Sequence, residues 1–120
     1  MVKSILISED EKAIAEALKL KLEHSGYEVS LAGNGEEALD LAKNKKFDLI
    51  ILDLIMPVMD GFGFLEAAKK EGIKTPIIVA SNLSQPEDEK RARELGAKDF
   101  FIKSNVSVSE IVEKIANVLK

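Results

Sequence analysis

The sequence has no cysteine, a single histidine, no excess of positive charge and no long apolar run. Without cysteine it can build neither a disulfide framework nor a zinc–thiolate site, which is consistent with a cytoplasmic location. The formal net charge of −4 argues against a general nucleic-acid binder, which would carry a basic stripe. No apolar stretch approaches the roughly 18 residues that span a membrane. Met1-Val2-Lys3-Ser4 leads straight into a strand-like run with no signal-peptide pattern. The lone histidine, His24, closes a helix-like segment before Ser25-Gly26. It reads as a solvated side chain near the negative end of a helix dipole, not as a phosphohistidine. Gly33-Asn34-Gly35 lacks the GxGxxG spacing of a phosphate-cradling loop and reads as a turn with an N-cap. Linkers and low-complexity segments are absent too.

What is there is one domain's worth of regular alternation. The 120 residues are 46% hydrophobic and 32% charged, enough to bury a core and keep a charged surface. Strands are expected over Lys3–Ser8, Glu28–Leu31, Asp48–Asp53, Ile77–Ala80 and Asp99–Ile102. Helices are expected over Glu11–His24, Gly35–Asn44, Phe62–Lys70, Pro86–Leu95 and Val108–Leu119. Gly26, Gly72 and Gly96 each end a helix at the position that needs a left-handed residue. Asn34 with Glu37, Ser84 with Glu87 and Ser107 with Glu110 carry capping-box spacing at helix starts. Strand–helix alternation implies an α/β fold, a parallel sheet covered on both faces by helices. Ligands of such sheets bind beyond the carboxyl ends of the strands.

The residues past those ends are therefore the candidate site. Asp53 closes the apolar run Leu49-Ile50-Ile51-Leu52, and a charge there is costly unless something binds it. Glu9, Asp10 and Glu11 follow the first strand, Ser81 and Asn82 the fourth, and Lys103 and Ser104 the fifth. Carboxylates sharing one pocket repel each other, and a hard divalent cation such as Mg2+ (Mn2+ in its place) relieves this. A hydroxyl and an ammonium beside them are donors to an anion. Together they suit a phosphoryl group, with Asp53 as the nucleophile that forms an aspartyl-phosphate.

Four motifs sharpen this reading: Ile5-Leu6-Ile7-Ser8-Glu9-Asp10-Glu11, Asp53-Leu54-Ile55-Met56-Pro57-Val58-Met59-Asp60-Gly61, Ile77-Ile78-Val79-Ala80-Ser81 and Phe100-Phe101-Ile102-Lys103. In this order and spacing the chain resembles the receiver domains of two-component response regulators, over essentially its whole length. The resemblance implies a doubly wound (βα)5 domain over residues 1–120, strand order 2-1-3-4-5, with no output domain. It implies that Asp53 is the phosphoacceptor. Asp10, Glu9 (through water), Asp53 and the Ile55 backbone carbonyl would hold Mg2+. Ser81 would be the switch hydroxyl, Lys103 the phosphate-binding lysine and Phe100 the switch aromatic. It further implies a sensor histidine kinase or phosphotransfer protein as donor. The output face would be the fourth helix, fifth strand and fifth helix, about Gln85–Leu119, docking a downstream protein or a second copy of the chain. Direct nucleic-acid or membrane contact is not expected. Such a domain catalyses its own phosphotransfer and dephosphorylation but is not a turnover enzyme.

Two positions depart from the family pattern. Ser104 stands where proline is usual, and a cis bond without proline would cost roughly 2.5–4 kcal/mol. A trans bond or a differently shaped loop is expected. Asn82 stands where a small residue is usual, and either narrows the approach to Asp53 or adds a hydrogen bond. Ile55 and Leu83 occupy positions that control water access in this family. Both are apolar and cannot orient a hydrolytic water, so a long-lived phosphoryl group is expected.

Plainer readings exist for each residue. Asp53 could cap a turn, Glu11 could start a helix, Lys103 could be a surface lysine and Ser81 could simply end its strand. Phe100 could be core; Phe101 then faces the opposite side, and one of the pair should lie on the less buried face. The charged fourth helix reads as a solvated face. Rival functions are weaker. An aspartyl phosphatase of similar sheet would carry an aspartate where Ile55 stands. A flavin domain would need a phosphate-cradling loop where Glu9-Asp10-Glu11 stands. A receiver-like scaffold that no longer takes phosphate fits the lost proline but not the intact acids.

Overall fold

The computed structural model describes residues 2–83 and 85–119. Five strands alternate with five helices. They are β1 (Ser4–Ser8), α1 (Lys12–His24), β2 (Glu28–Ala32), α2 (Gly35–Asn44), β3 (Leu49–Leu52), α3 (Gly61–Lys70), β4 (Ile77–Ser81), α4 (Pro86–Glu94), β5 (Asp99–Ile102) and α5 (Val108–Val118). The strands form one parallel sheet of order β2-β1-β3-β4-β5, as expected. Because the order reverses between β1 and β3, the crevice at their carboxyl ends is the switch point.

The side-chain period of two divides the core between the faces of the sheet. Leu6, Ile50, Leu52, Val79 and Phe100 pack with Ala38, Phe64, Leu65 and Ala92 from α2, α3 and α4. Ile5, Ile7, Leu49, Ile51, Ile78 and Phe101 pack with Leu18, Leu22, Ile111 and Ile115 from α1 and α5. The central strand β3 is buried throughout, as a parallel strand covered on both sides must be. The expectation that one of Phe100 and Phe101 would lie on a less buried face is corrected. They are 9% and 5% exposed, because helices cover both faces of β5.

Element ends match the reading within a residue, and two differences matter. Strand β3 stops at Leu52, so Asp53 stands in the loop beyond it rather than inside the strand. Strand β4 runs on to include Ser81, which is fully buried. The three helix-ending glycines adopt φ of 95°, 73° and 113°, the left-handed backbone the C-terminal position requires. Ser107 and Glu110 form the reciprocal capping box. At α2 the Asn34 side chain accepts from the Glu37 N–H, but Glu37 accepts from the N–H of Gly33, not of Asn34. Ser84, expected to cap with Glu87, lies outside the described residues; α4 has Gln85 at its N-cap and Pro86 in its first turn. Among the described residues every peptide bond is trans, Lys103–Ser104 included. A short 3-10 turn, Lys103–Asn105, joins β5 to α5.

Among the described residues no helix is long and apolar enough to cross a membrane.

Candidate functional site

The parallel register aligns the strand ends that matter. Ser8 lies opposite Leu52 and Ala32, Leu52 opposite Val79, and Ser81 opposite Ile102. One step further along, Glu9, Asp53 and Lys103 converge. The Asp53 N–H donates to the Ser8 carbonyl at 3.0 Å, and the Glu9 N–H to the Ala32 carbonyl at 3.0 Å. The loop after Asp53 is pinned by Gly61. Its N–H donates to the Leu54 carbonyl at 2.9 Å, and a Cβ there would lie 2.6 Å from the Asp53 carbonyl oxygen. Asp60, whose carboxylate accepts from the Gly63 N–H at 2.8 Å, caps α3 and holds the far end of that loop.

Asp53 is 4% exposed. Its Oδ1 accepts from the Ile55 N–H at 3.2 Å, and its Oδ2 from Lys103 Nζ at 3.2 Å. Lys103 also donates to Glu9 Oε1 at 2.5 Å and lies 3.7 Å from Glu11 Oε1. Glu9 is steadied in turn by the Glu11 N–H at 3.1 Å. Carboxylate oxygens of Glu9, Asp10 and Asp53 all lie within 4.8 Å of one another. Asp10 itself is exposed, at the mouth.

Glu9 and Lys103 are poorly hydrated, and their proton affinities respond. Burial raises Glu9 from 4.5 to about 7; its bonds to Lys103 and the Glu11 N–H only partly offset this, and the Asp53 charge adds to it. Burial alone would lower the Lys103 pKa. The hydrogen bond to Glu9 and the charges of Asp53 and Glu9 outweigh burial and raise it. An excess of buried negative charge held by one ammonium fits a site that takes a further cation.

Asp10, Glu11, Asp53, Ile55, Asn82 and Lys103 line a cavity of about 120 Å³. Of the expected water-access residues, Ile55 stands on its rim, 54% exposed, and Asn82 is part of its wall. Leu83 packs partly buried against the core and is not among the lining residues. Ser81 Oγ accepts from the Leu83 N–H at 3.4 Å, and Phe100 sits in the core on the α2–α4 face.

Residues 5–116 match the response regulator receiver domain family. The chain belongs to that family. PhoP of Bacillus subtilis, the alkaline phosphatase synthesis transcriptional regulatory protein, is 35% identical over 120 residues; the match spans 100% of this chain and 50% of PhoP. DltR of Streptococcus agalactiae, a transcriptional regulatory protein, is 37% identical over 99 residues, spanning 82% of this chain and 44% of DltR. The chain thus spans about half the length of the curated relatives it matches. Among solved structures, the receiver domain of Francisella response regulator 1452 superposes with a TM-score of 0.91 at 31% identity, covering 98% of this chain and 96% of that one. A CheY-like receiver domain protein from Methanospirillum hungatei JF-1 gives 0.92 at 32% identity, covering 99% and 94%.

In this receiver domain Asp60 and Gly61 are the site-shaping residues that the sequence reading left without a role. An Asp immediately before an apolar helical stretch is the usual signal of an N-cap, and it was present in the run Asp60-Gly61-Phe62-Gly63-Phe64. No comparable local signal announces the close approach at Gly61.

Proposed function

We propose that this receiver domain is a phosphorylation-dependent signalling switch whose acceptor is Asp53. The observation that carries the reading is the buried Asp53 carboxylate, 3.2 Å from the Lys103 ammonium and clustered with Glu9 and Asp10. The donor is a phosphohistidine of a sensor histidine kinase or a phosphotransfer protein. In the transfer, an Asp53 carboxylate oxygen forms a bond to phosphorus while the phosphorus–nitrogen bond breaks. The electron pair returns to the imidazole, which takes up a proton.

Lys103 holds the transferred group's charge, and the Ser81 hydroxyl donates to one of its oxygens. Glu9, Asp10, Asp53 and the Ile55 backbone carbonyl would hold Mg2+, or Mn2+ in its place. Bound there, the ion screens the negative charge of carboxylates and phosphoryl oxygens. Movement of Ser81 toward the phosphoryl group, with Phe100 turning inward, then alters the α4-β5-α5 surface, which docks a downstream protein or a second copy of the chain. Support for a movable output face comes from α4. It buries only Ala92 and is otherwise held by surface contacts, Arg91 over the Phe62 ring at 4.1 Å and Arg93 to Asp99 at 3.2 Å. The exposed Arg93–Asp99 ion pair contributes little. The domain performs one transfer and then a slow hydrolysis that frees Asp53 and releases inorganic phosphate; it is no turnover enzyme.

The test is intact-mass spectrometry after incubation with acetyl phosphate and Mg2+, with Asp53→Asn beside the parent. One phosphoryl mass on the parent and none on Asp53→Asn is expected. A parent that stays unmodified, or an Asp53→Asn variant that is modified equally, overturns the assignment.

A further inference from the structure

Lys103 has to reach Glu9 and Asp53 together, with its side chain only 9% exposed. A lysine on a flexible four-carbon stem can do this reliably only if its backbone is held. Yet Lys103 stands at the first position of the short turn Lys103–Asn105, where β5 has already ended. The turn's own closure, from the Val106 N–H to the Lys103 carbonyl, is long at 3.4 Å. A second hold comes from another strand end. The Ser104 N–H donates to Asn82 Oδ1 at 3.1 Å.

That bond closes a small ring around the lysine. Asn82 follows Ser81, which is fully buried and registered opposite Ile102 in the sheet. Asn82 is thereby anchored on the β4 side and Ser104 on the β5 side, with Lys103 between Ile102 and the clasp. Asn82 also shares the cavity wall with Asp53 and Lys103. The chemistry of the clasp is specific. It needs a side-chain acceptor at 82 and a backbone N–H at 104, and a proline at 104 could not donate.

We infer that Asn82 is a positioning residue for the phosphotransfer site: through the Ser104 N–H it fixes the turn that aims Lys103 at Asp53. This rests on the reading of Asp53 as phosphoacceptor. Asn82 acts through the lysine and does not gate entry to the cavity. Removing it therefore slows acceptance of the phosphoryl group, whereas removing a gate would speed it.

The experiment follows Asn82→Ala, Ser104→Pro and the double variant of the full chain, with acetyl phosphate and Mg2+. It reads the second-order phosphorylation rate and the hydrogen exchange of the Ser104 amide. Asn82→Ala is expected to release the Ser104 amide to fast exchange. It should slow phosphorylation about threefold to tenfold, the reach of one neutral hydrogen bond, while the thermal midpoint stays near the parent's. In the Ser104→Pro background the donor is already gone, so Asn82→Ala should cost nothing more. The non-additivity assigns the effect to this one bond, and a slower rate at an unchanged thermal midpoint separates positioning from a loss of stability. An Asn82→Ala rate equal to or faster than the parent's overturns the inference, as does an equal slowing in both backgrounds. Should Ser104→Pro not fold, the rate and the Ser104 exchange of Asn82→Ala decide it alone. A parent that is never phosphorylated defeats the phosphoacceptor reading and this inference with it. A parent that is phosphorylated but indifferent to Asn82→Ala defeats only the clasp.

Discussion

Glu9 offers a sharp electrostatic test, because its carboxylate is buried against Asp53 and only partly compensated by Lys103. Its pKa is 4.5 in the open chain and about 7 in the metal-free fold. The folded state therefore binds more protons than the unfolded state between those values, and stability falls as pH rises through that window. A shift from 4.5 to about 7, at 1.36 kcal/mol per unit, amounts to about 3 kcal/mol lost by pH ~8 and under about 1 kcal/mol at pH ~5. Glu9→Gln removes the titration and keeps one oxygen to accept from Lys103, but its NH2 replaces the oxygen that accepts from the Glu11 N–H. In EDTA the variant should be more stable than the parent by about 2 kcal/mol at pH ~8, the ~3 kcal/mol of the titration less ~1 kcal/mol for the lost bond to the Glu11 N–H. For 120 residues that corresponds to a thermal midpoint roughly 8 °C higher, and the gain should vanish at pH ~5, where the lost hydrogen bond cancels what remains of the titration. Urea unfolding followed by far-UV circular dichroism at several pH values measures this. Saturating Mg2+ should shrink the gain, since a bound cation compensates the parent's carboxylate. A Glu9→Gln variant less stable than the parent at pH ~8 would mean that the ion pair with Lys103 outweighs desolvation. A pH-independent difference would equally refute the argument.

Other outcomes follow from the loops around the site. Gly61→Ala forces a Cβ to within 2.6 Å of the Asp53 carbonyl and Leu54 Cα. It should destabilise the fold by about 1–3 kcal/mol in urea unfolding and slow phosphorylation of Asp53; an unchanged midpoint would show that the loop yields freely. Val58 holds φ +68° while 75% exposed, which is strained for a β-branched residue, so Val58→Asn should stabilise by about 1 kcal/mol in the same assay. With apolar Ile55 on the cavity rim and Leu83 beside Ser81, the phosphoryl group should persist. Decay followed by phosphate-affinity gels should quicken in an Ile55→Asn, Leu83→Glu double variant, and equal decay would remove any role for these two positions in hydrolysis.

The alternation of elements, the two-faced core and the placement of Asp53, Ser81 and Lys103 at the carboxyl ends of strands were legible in the sequence to within a residue, because each rests on a short-range signal. Apolar runs of strand length, capping residues and helix-ending glycines act within a few positions of themselves. Local patterning also makes a parallel sheet the only economical way to cover strands that are apolar on both faces, and a parallel sheet brings all its carboxyl ends to one edge.

Tertiary structure decided what those ends do to one another. The register of β1 against β3 and of β4 against β5 sets Lys103 between Glu9 and Asp53. The burial of Glu9 raises its pKa, and the reach of Asn82 to Ser104 spans two separate loops. None of these can be read from residue types alone, since desolvation and Coulomb interaction depend on distance and exposure between segments far apart in the chain. The sequence by itself determined which groups arrive at the site. The fold determined their separations, and with them which group bears a proton, which bears the charge and what holds the lysine in place.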